Sequence, residues 1–243
     1  MSNRYFYHIQ LWKQLQFLCT RGLYLCRQRK VSTPETTVVY PPPMETRASV
    51  RTIGTLCVFC GSSDGNVPAY LEGAAALALA MSRRNINLVY GGGGRGLMGK
   101  VAATLKEANG TVTGIIPTRL YDMVKHIEHV EDELIVVSDM HARKATMYER
   151  SDAFIALPGG IGTLEEVMEA LTWLQLGYHC KPIGLLNTEG FYDSLIDLLR
   201  HMVDQGFLRK ILFDALVVSA DPDDLLEKLC SVDLDLPVKI EHP

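Results

Sequence analysis

The chain has 243 residues, room for one large domain or two small ones. A hydrophobic fraction of 47% with 21% charged residues is that of an ordinary globular protein. The formal net charge of -4 excludes a phosphodiester-binding surface over the whole molecule, so nucleic acid is not an expected partner; a local anion site needs only a few convergent donors.

The first 50 residues differ from the rest. No acidic residue precedes Glu35, while Arg4, Lys13, Arg21, Arg27, Arg29 and Lys30 are basic and Leu11, Leu15 and Leu18 recur at helical spacing. The segment reads as a dispensable extension, with a short amphipathic helix or a mitochondrial presequence as the alternative. Lys13 and Arg21 interrupt any membrane span there. Tyr40-Pro41-Pro42-Pro43 reads as a stiff linker, so the folded domain is expected over residues 51–232, with a tail at 233–243.

Strands and helices then alternate. Ile53 to Cys60 is an apolar strand ending in Gly61-Ser62-Ser63; Pro68 to Arg83 is an Ala- and Leu-rich helix with proline in its first turn. A strand over Ile86 to Tyr90 leads through Gly91 to Gly99 into a helix reaching about Ala108. Strands follow at Thr111 to Ile116 and Leu134 to Val137, a helix at Met140 to Arg150, and a strand at Ala153 to Leu157. The remaining pairs are helix Thr163 to Leu176 with strand Pro182 to Leu186, helix Phe191 to Gln205 with strand Leu216 to Ser219, and a closing helix at Pro222 to Cys230. Continuously apolar strands between helices predict a single doubly wound, Rossmann-like α/β domain: a parallel sheet with helices on both faces. Ligands in such sheets bind at the carboxyl ends of the strands, where both glycine clusters fall.

The six cysteines are scattered, which fits a reducing compartment rather than a disulfide scaffold. Cys57-x-x-Cys60 lies within a buried strand and lacks a second pair, so it reads as two small core residues and not as a metal site.

Gly91 to Gly99 lets the backbone approach a ligand, and the helix after it offers unpaired N–H groups to an anion. It is not a Walker A loop, because Lys100 is followed by Val101, and no acidic residue ends the next strand as a dinucleotide fold would want. Pro158-Gly159-Gly160-Ile161-Gly162-Thr163-Leu164-Glu165-Glu166 also joins a strand to a helix. Thr163-x-x-Glu166 matches a capping box, so Glu166 is either a cap or a catalytic carboxylate.

Gly91-Gly-Gly-x-x-Gly-Leu-Met-Gly99, Met140-His-Ala-Arg-Lys144 and Pro158-Gly-Gly-x-Gly-Thr-x-x-Glu166 together resemble the signatures of the LONELY GUY (LOG) family of cytokinin riboside 5′-monophosphate phosphoribohydrolases. Thr172-Trp173-x-Gln175, Lys181-Pro182-x-Gly184 and Gly190-Phe-Tyr192 continue the likeness, which spans about Thr52 to Phe207. The resemblance implies cleavage of a nucleotide N-glycosidic bond with no cofactor and no metal, in a cytoplasmic homodimer without nucleic-acid or membrane partners. It implies Arg143 and Glu166 as catalytic. It implies contacts to the small-molecule nucleotide from Gly61, Ser62, Gly92, Gly93, Gly96, Met98, Gly99 and Lys144, and from Gly159, Gly160, Gly162, Thr163, Glu165 and Thr172. The Gly91 to Gly99 loop is expected at the phosphate end. The resemblance implies a further substrate-contacting Glu eighteen residues before the motif Arg; here that position is Lys125, and Glu128 could take the role only if the loop is shorter, while its place with Glu131, Asp132 and Glu133 reads first as a solvated acidic face.

Cleaving the bond builds oxocarbenium character on the ribose, which an ionised Glu166 would stabilise while Arg143 orients it. The competing readings are a purine nucleotide hydrolase acting on AMP, a non-catalytic nucleotide or molybdenum-cofactor binder, and an NAD-dependent oxidoreductase on fold analogy alone.

Overall fold

A computed structural model describes residues 51–124, 126 and 129–236. The basic N-terminal segment, the proline linker, Lys125, Glu128 and the end of the C-terminal tail lie outside those residues.

Seven strands form one sheet: β1 Thr55–Phe59, β2 Asn87–Tyr90, β3 Val112–Pro117, β4 Glu133–Val137, β5 Ala153–Ala156, β6 Ile183–Leu186 and β7 Leu216–Ser219. All neighbours pair in parallel, in the order β4-β3-β2-β1-β5-β6-β7. Eight helices accompany them among the described residues: α1 Pro68–Arg83, α2 Gly96–Glu107, α3 Thr118–Val124, α4 Met140–Glu149, α5 Ile161–Gln175, α6 Asp193–Asp204, α7 Lys210–Asp214 and α8 Pro222–Ser231. The doubly wound expectation is met.

The alternation of β1 shows why its residues are apolar without a break. Leu56 and Val58 face one core with Leu77 and Met81 of α1, Leu97 and Leu105 of α2 and Leu225 of α8. Cys57 and Phe59 face the other, with Met147 and Tyr148 of α4, Val167 and Leu171 of α5 and Leu199 of α6. A strand covered on both faces has no polar side to offer. The same alternation sends Cys57 and Cys60 into opposite cores, where burial raises both thiols above their ordinary range. No group of three or more metal-ligating side chains occurs among the described residues.

Successive strands are added outward on one side of β1 as far as β4 and on the other side from β5 onward, and this switch in strand order between β1 and β5 opens a crevice above their carboxyl ends. Three loops meet there. Leu157 N–H donates to Phe59 O at 2.9 Å and Gly61 N–H to Pro158 O at 3.0 Å, while Met98 N–H donates to Gly61 O at 3.2 Å.

Three elements differ from the sequence expectation, and one of them, α7 at Lys210–Asp214, falls where no element is expected from the sequence. α3 buries none of its residues and so leaves no periodic apolar face to read. The helix expected from Phe191 begins at Asp193 as α6, and a 3₁₀ turn over Thr188–Gly190, in which Glu189 takes a positive φ of 52°, precedes it.

Candidate active site

Asp139 caps α4, accepting from His141 N–H and Ala142 N–H at 2.9 Å each. One turn later Arg143 and Lys144 face α5 across the second core. Arg143 Nη2 lies 3.5 Å from Glu166 Oε1, with side chains only 11% and 9% exposed. The guanidinium packs where a side chain at Gly91 would stand, so a larger residue there would displace Arg143 from this position. Arg143 Nε is buried without a hydrogen-bond partner, and Nη1 has only the sulfur of Met140 at 3.8 Å. A buried guanidinium with donors to spare beside a buried carboxylate is set to hold an acceptor-rich ligand. Burial raises the Glu166 carboxyl above its ordinary range, and Arg143 offsets part of that shift.

Glu166 is not a cap. α5 begins at Ile161 after Gly160, which takes the extended N-cap conformation with no side-chain cap. Thr163 therefore falls inside the first turn, its hydroxyl filling the space that the missing side chain of Gly159 leaves. A capping box needs the hydroxyl residue at the N-cap itself, so the pattern in the sequence does not act as one here.

The two glycine loops present different surfaces. At α2 a side chain on Gly96 would collide with the Ser62–Ser63 peptide, one on Gly99 with Gly94, and Met98 N–H is already committed to Gly61. The first turn of α2 is thus covered by the β1 loop. At α5, side chains on Gly160 or Gly162 would meet nothing within 4 Å, and both glycines are exposed. The first turn of α5 is uncapped and open to solvent, one helical turn from Glu166.

The other residues singled out by sequence fall in three places. Gly61 and Ser62 form the junction of the loops, and Gly93 packs against Met98. Lys144 is buried and pairs with Glu169 at 2.7 Å and with Glu165, so Lys144 and Glu165 are turned on each other, tying α4 to α5. Thr172 donates back to Met168 O at 2.7 Å and lines an apolar hollow of about 130 Å³ with Leu171, Leu199, Met202 and Phe213.

Three residues carry weight that the sequence did not reveal. The Tyr148 hydroxyl donates to Glu166 O at 3.2 Å while its ring packs 4.7 Å from Trp173, and the Tyr192 hydroxyl donates to Leu157 O just before the second glycine loop. Glu131 corrects the solvated-face expectation. Asp132 and Glu133 do face solvent in pairs with Lys106 and Arg150, but the Glu131 side chain is 2% exposed and accepts from the Tyr90 hydroxyl. Room for it comes from Gly114, paired in register with Tyr90 and Leu134: a side chain there would stand 2.9 Å from Glu131 Cγ. A glycine inside an otherwise apolar strand was the signal available.

A family model described as possible lysine decarboxylase matches residues 98–229. That chemistry needs pyridoxal phosphate on a neutral lysine. Burial alone would lower the ammonium of Lys144, but Glu165 and Glu169 hold it above its ordinary range, which does not fit a Schiff-base lysine. Lys181, lowered by burial, precedes β6 and so lies at the amino-terminal end of the strands, away from the crevice at their carboxyl ends. Among solved structures, the molybdenum cofactor carrier protein of Chlamydomonas reinhardtii superposes with a TM-score of 0.53 at 24% identity, over 72% of this chain and 98% of that one. The molybdenum cofactor binding protein of Rippkaea orientalis does so with 0.53 at 24%, over 74% and 96%; both likenesses are of fold. The cytokinin riboside 5′-monophosphate phosphoribohydrolase LOG2 of Arabidopsis thaliana is 47% identical over 185 residues, 76% of this chain and 85% of the relative. LOG5 of the same plant, of the same description, is 48% identical over 72% and 76% of the two chains. With that identity over nearly three quarters of its length, and with the three motifs of its sequence gathered at one crevice, the chain belongs to the LONELY GUY family.

Proposed function

We propose that this chain hydrolyses the N-glycosidic bond of cytokinin riboside 5′-monophosphates, releasing the free base and ribose 5-phosphate. The observation that carries the reading is the buried Arg143–Glu166 pair at the switch-point crevice, one turn from an open helix N-terminus. The relatives' names supply the substrate class.

In this reading the 5′-phosphate sits on the first turn of α5, at Gly160, Gly162 and Thr163, rather than on α2, whose first turn the β1 loop covers. That places the ribose C1′ near Glu166. The C1′–N bond breaks with its electron pair leaving on the base, and the cationic ribose is stabilised by the ionised carboxylate. Water adds at C1′ and gives its proton to Glu166, and the departing ring nitrogen takes up a proton. Arg143 stays charged and serves as an orienting fork for Glu166 and the sugar hydroxyls. Anchoring by phosphate acts on turnover as well as on binding. The test compares isopentenyladenosine 5′-monophosphate with its unphosphorylated riboside: the first releases base, the second is a poor substrate, and equal turnover of both removes the phosphate assignment.

We further propose a homodimer that closes the apolar hollow between α5, α6 and α7, where Phe207 and Ile211 stand exposed nearby. Sedimentation at micromolar concentration should show two chains per particle; a monomer would contradict it. The four cysteines among the described residues are free thiols, which supports a reducing, cytoplasmic setting, and no described helix is long and apolar enough to cross a membrane.

A further inference from the structure

Tyr148 lies in the last turn of α4 and is only 4% exposed. Its ring meets Trp173 at 4.7 Å, Phe154 at 5.0 Å and Phe59 at 6.4 Å, each edge to face. Such pairs are favourable beyond the area they bury, and a phenylalanine would make all three. Packing therefore leaves the hydroxyl to be accounted for.

That hydroxyl reaches α5 at two points, 3.2 Å from the main-chain oxygen of Glu166 and 3.2 Å from Glu169 Oε2, which share its one proton. Glu169 Oε2 also accepts from Lys144 Nζ at 2.7 Å, and the same ammonium donates to Glu165. Lys144 and Tyr148 stand one turn apart on α4, so two points of that helix grip the turn of α5 that carries Glu166. Glu166 lies inside α5, where its carbonyl already has a place in the helix ladder; the tyrosine bond is a second one. Burial, and next the Glu169 charge, raise the hydroxyl well above its ordinary range, so it stays protonated and a donor through neutral pH. Arg143 rides on the same helix as Tyr148. Its 3.5 Å separation from Glu166 is long for a hydrogen bond, so a small slip between the helices would part the two.

We propose that Tyr148 is a positioning residue: through the Glu166 main chain and Glu169 its hydroxyl holds α5 in register with α4, and so keeps the Glu166 carboxylate beside Arg143. Its effect on turnover rests on the hydrolase reading above; its effect on Glu166 itself does not. The charged groups around Glu166 are Arg143 and Lys144 of α4 and Glu165 and Glu169 of its own helix. Removing a neutral hydroxyl changes none of those charges, so a change in the titration of Glu166 reports a change of position.

The test is Tyr148→Phe in the full chain, which deletes the hydroxyl and keeps the ring. The Glu166 carboxyl is titrated by carbon NMR in glutamate-labelled protein, its resonance assigned with Glu166→Gln, and kcat and KM for isopentenyladenosine 5′-monophosphate are followed across pH. Burial raises Glu166 and Arg143 lowers it, so a loosened pair should move both the titration and the acid limb of kcat/KM upward. At its optimum kcat should fall about 10- to 10²-fold with KM nearly kept, as for a misplaced catalytic group. A tyrosine that only packs would lower the thermal midpoint and move neither limb nor titration. Should Tyr148→Phe not fold, Trp173→Phe loosens the ring that carries the hydroxyl, and a smaller shift in the same direction is expected. A folded variant with the Glu166 titration unmoved overturns the proposal, as does an unchanged kcat in a chain that cleaves the nucleotide. A wild type that cleaves nothing, with the titration raised in the variant, would sink the hydrolase reading and leave the positioning of Glu166 standing.

Discussion

Glu166 lies where its surroundings oppose the ionised form. Burial raises its carboxyl and Arg143 only partly offsets this, so the protonated form is the one that folding favours. The ionised carboxylate therefore costs stability well above the raised value, and the cost fades as pH falls through it. Glu166→Gln is expected to melt higher than wild type at neutral pH, with the gain shrinking under mildly acidic conditions, while turnover drops about 10²- to 10⁴-fold. A variant of full activity would reduce the residue to packing. The acid limb of kcat/KM should lie above the ordinary carboxylate range, because the ionised form is the active one. Arg143→Gln should move that limb further up, since Arg143 is what lowers Glu166; an unmoved limb would detach the two residues. At this scale the sequence was legible where a motif fixes spacing and mute where burial decides. Thr163-x-x-Glu166 reads equally as a cap or as chemistry until Gly160 is seen to hold the N-cap. Glu131 reads as one more surface acid until Gly114 is seen opposite it.

Strand-to-helix turns explain why glycines recur at the three crevice loops, but for two different reasons. Gly96 has a φ of +61° and abuts the Ser62–Ser63 peptide. Gly96→Ala should cost about 1–2 kcal/mol from the left-handed backbone alone and more from the collision. Gly162 has open space around it and lies within α5. Gly162→Ala should gain up to about 1 kcal/mol, or about 2–4 °C in thermal midpoint, yet raise the KM for nucleotide by crowding the proposed phosphate site. A gain in stability with unchanged KM would clear that face of any ligand role. In sequence the two glycines look alike, because neither the covering of α2 nor the opening of α5 is a local property. Long apolar helices such as α1 were legible from periodicity; α3, with no buried face, was not.

For the whole molecule, alternation of apolar strands with helices was enough to predict a parallel, doubly wound sheet. It was not enough to order the strands or to say which loop would be open. The switch in strand order between β1 and β5 brings Cys60-Gly61, Tyr90-Gly91 and Pro158-Gly159 to one crevice, and α4 then sets Arg143 across from α5. The most direct measurement incubates the purified chain with isopentenyladenosine 5′-monophosphate and follows both products by chromatography. Free base and ribose 5-phosphate should appear in equal amounts, and nearly vanish when Glu166 is Gln. Unchanged nucleotide, or product formed as fast without that carboxylate, would contradict the account.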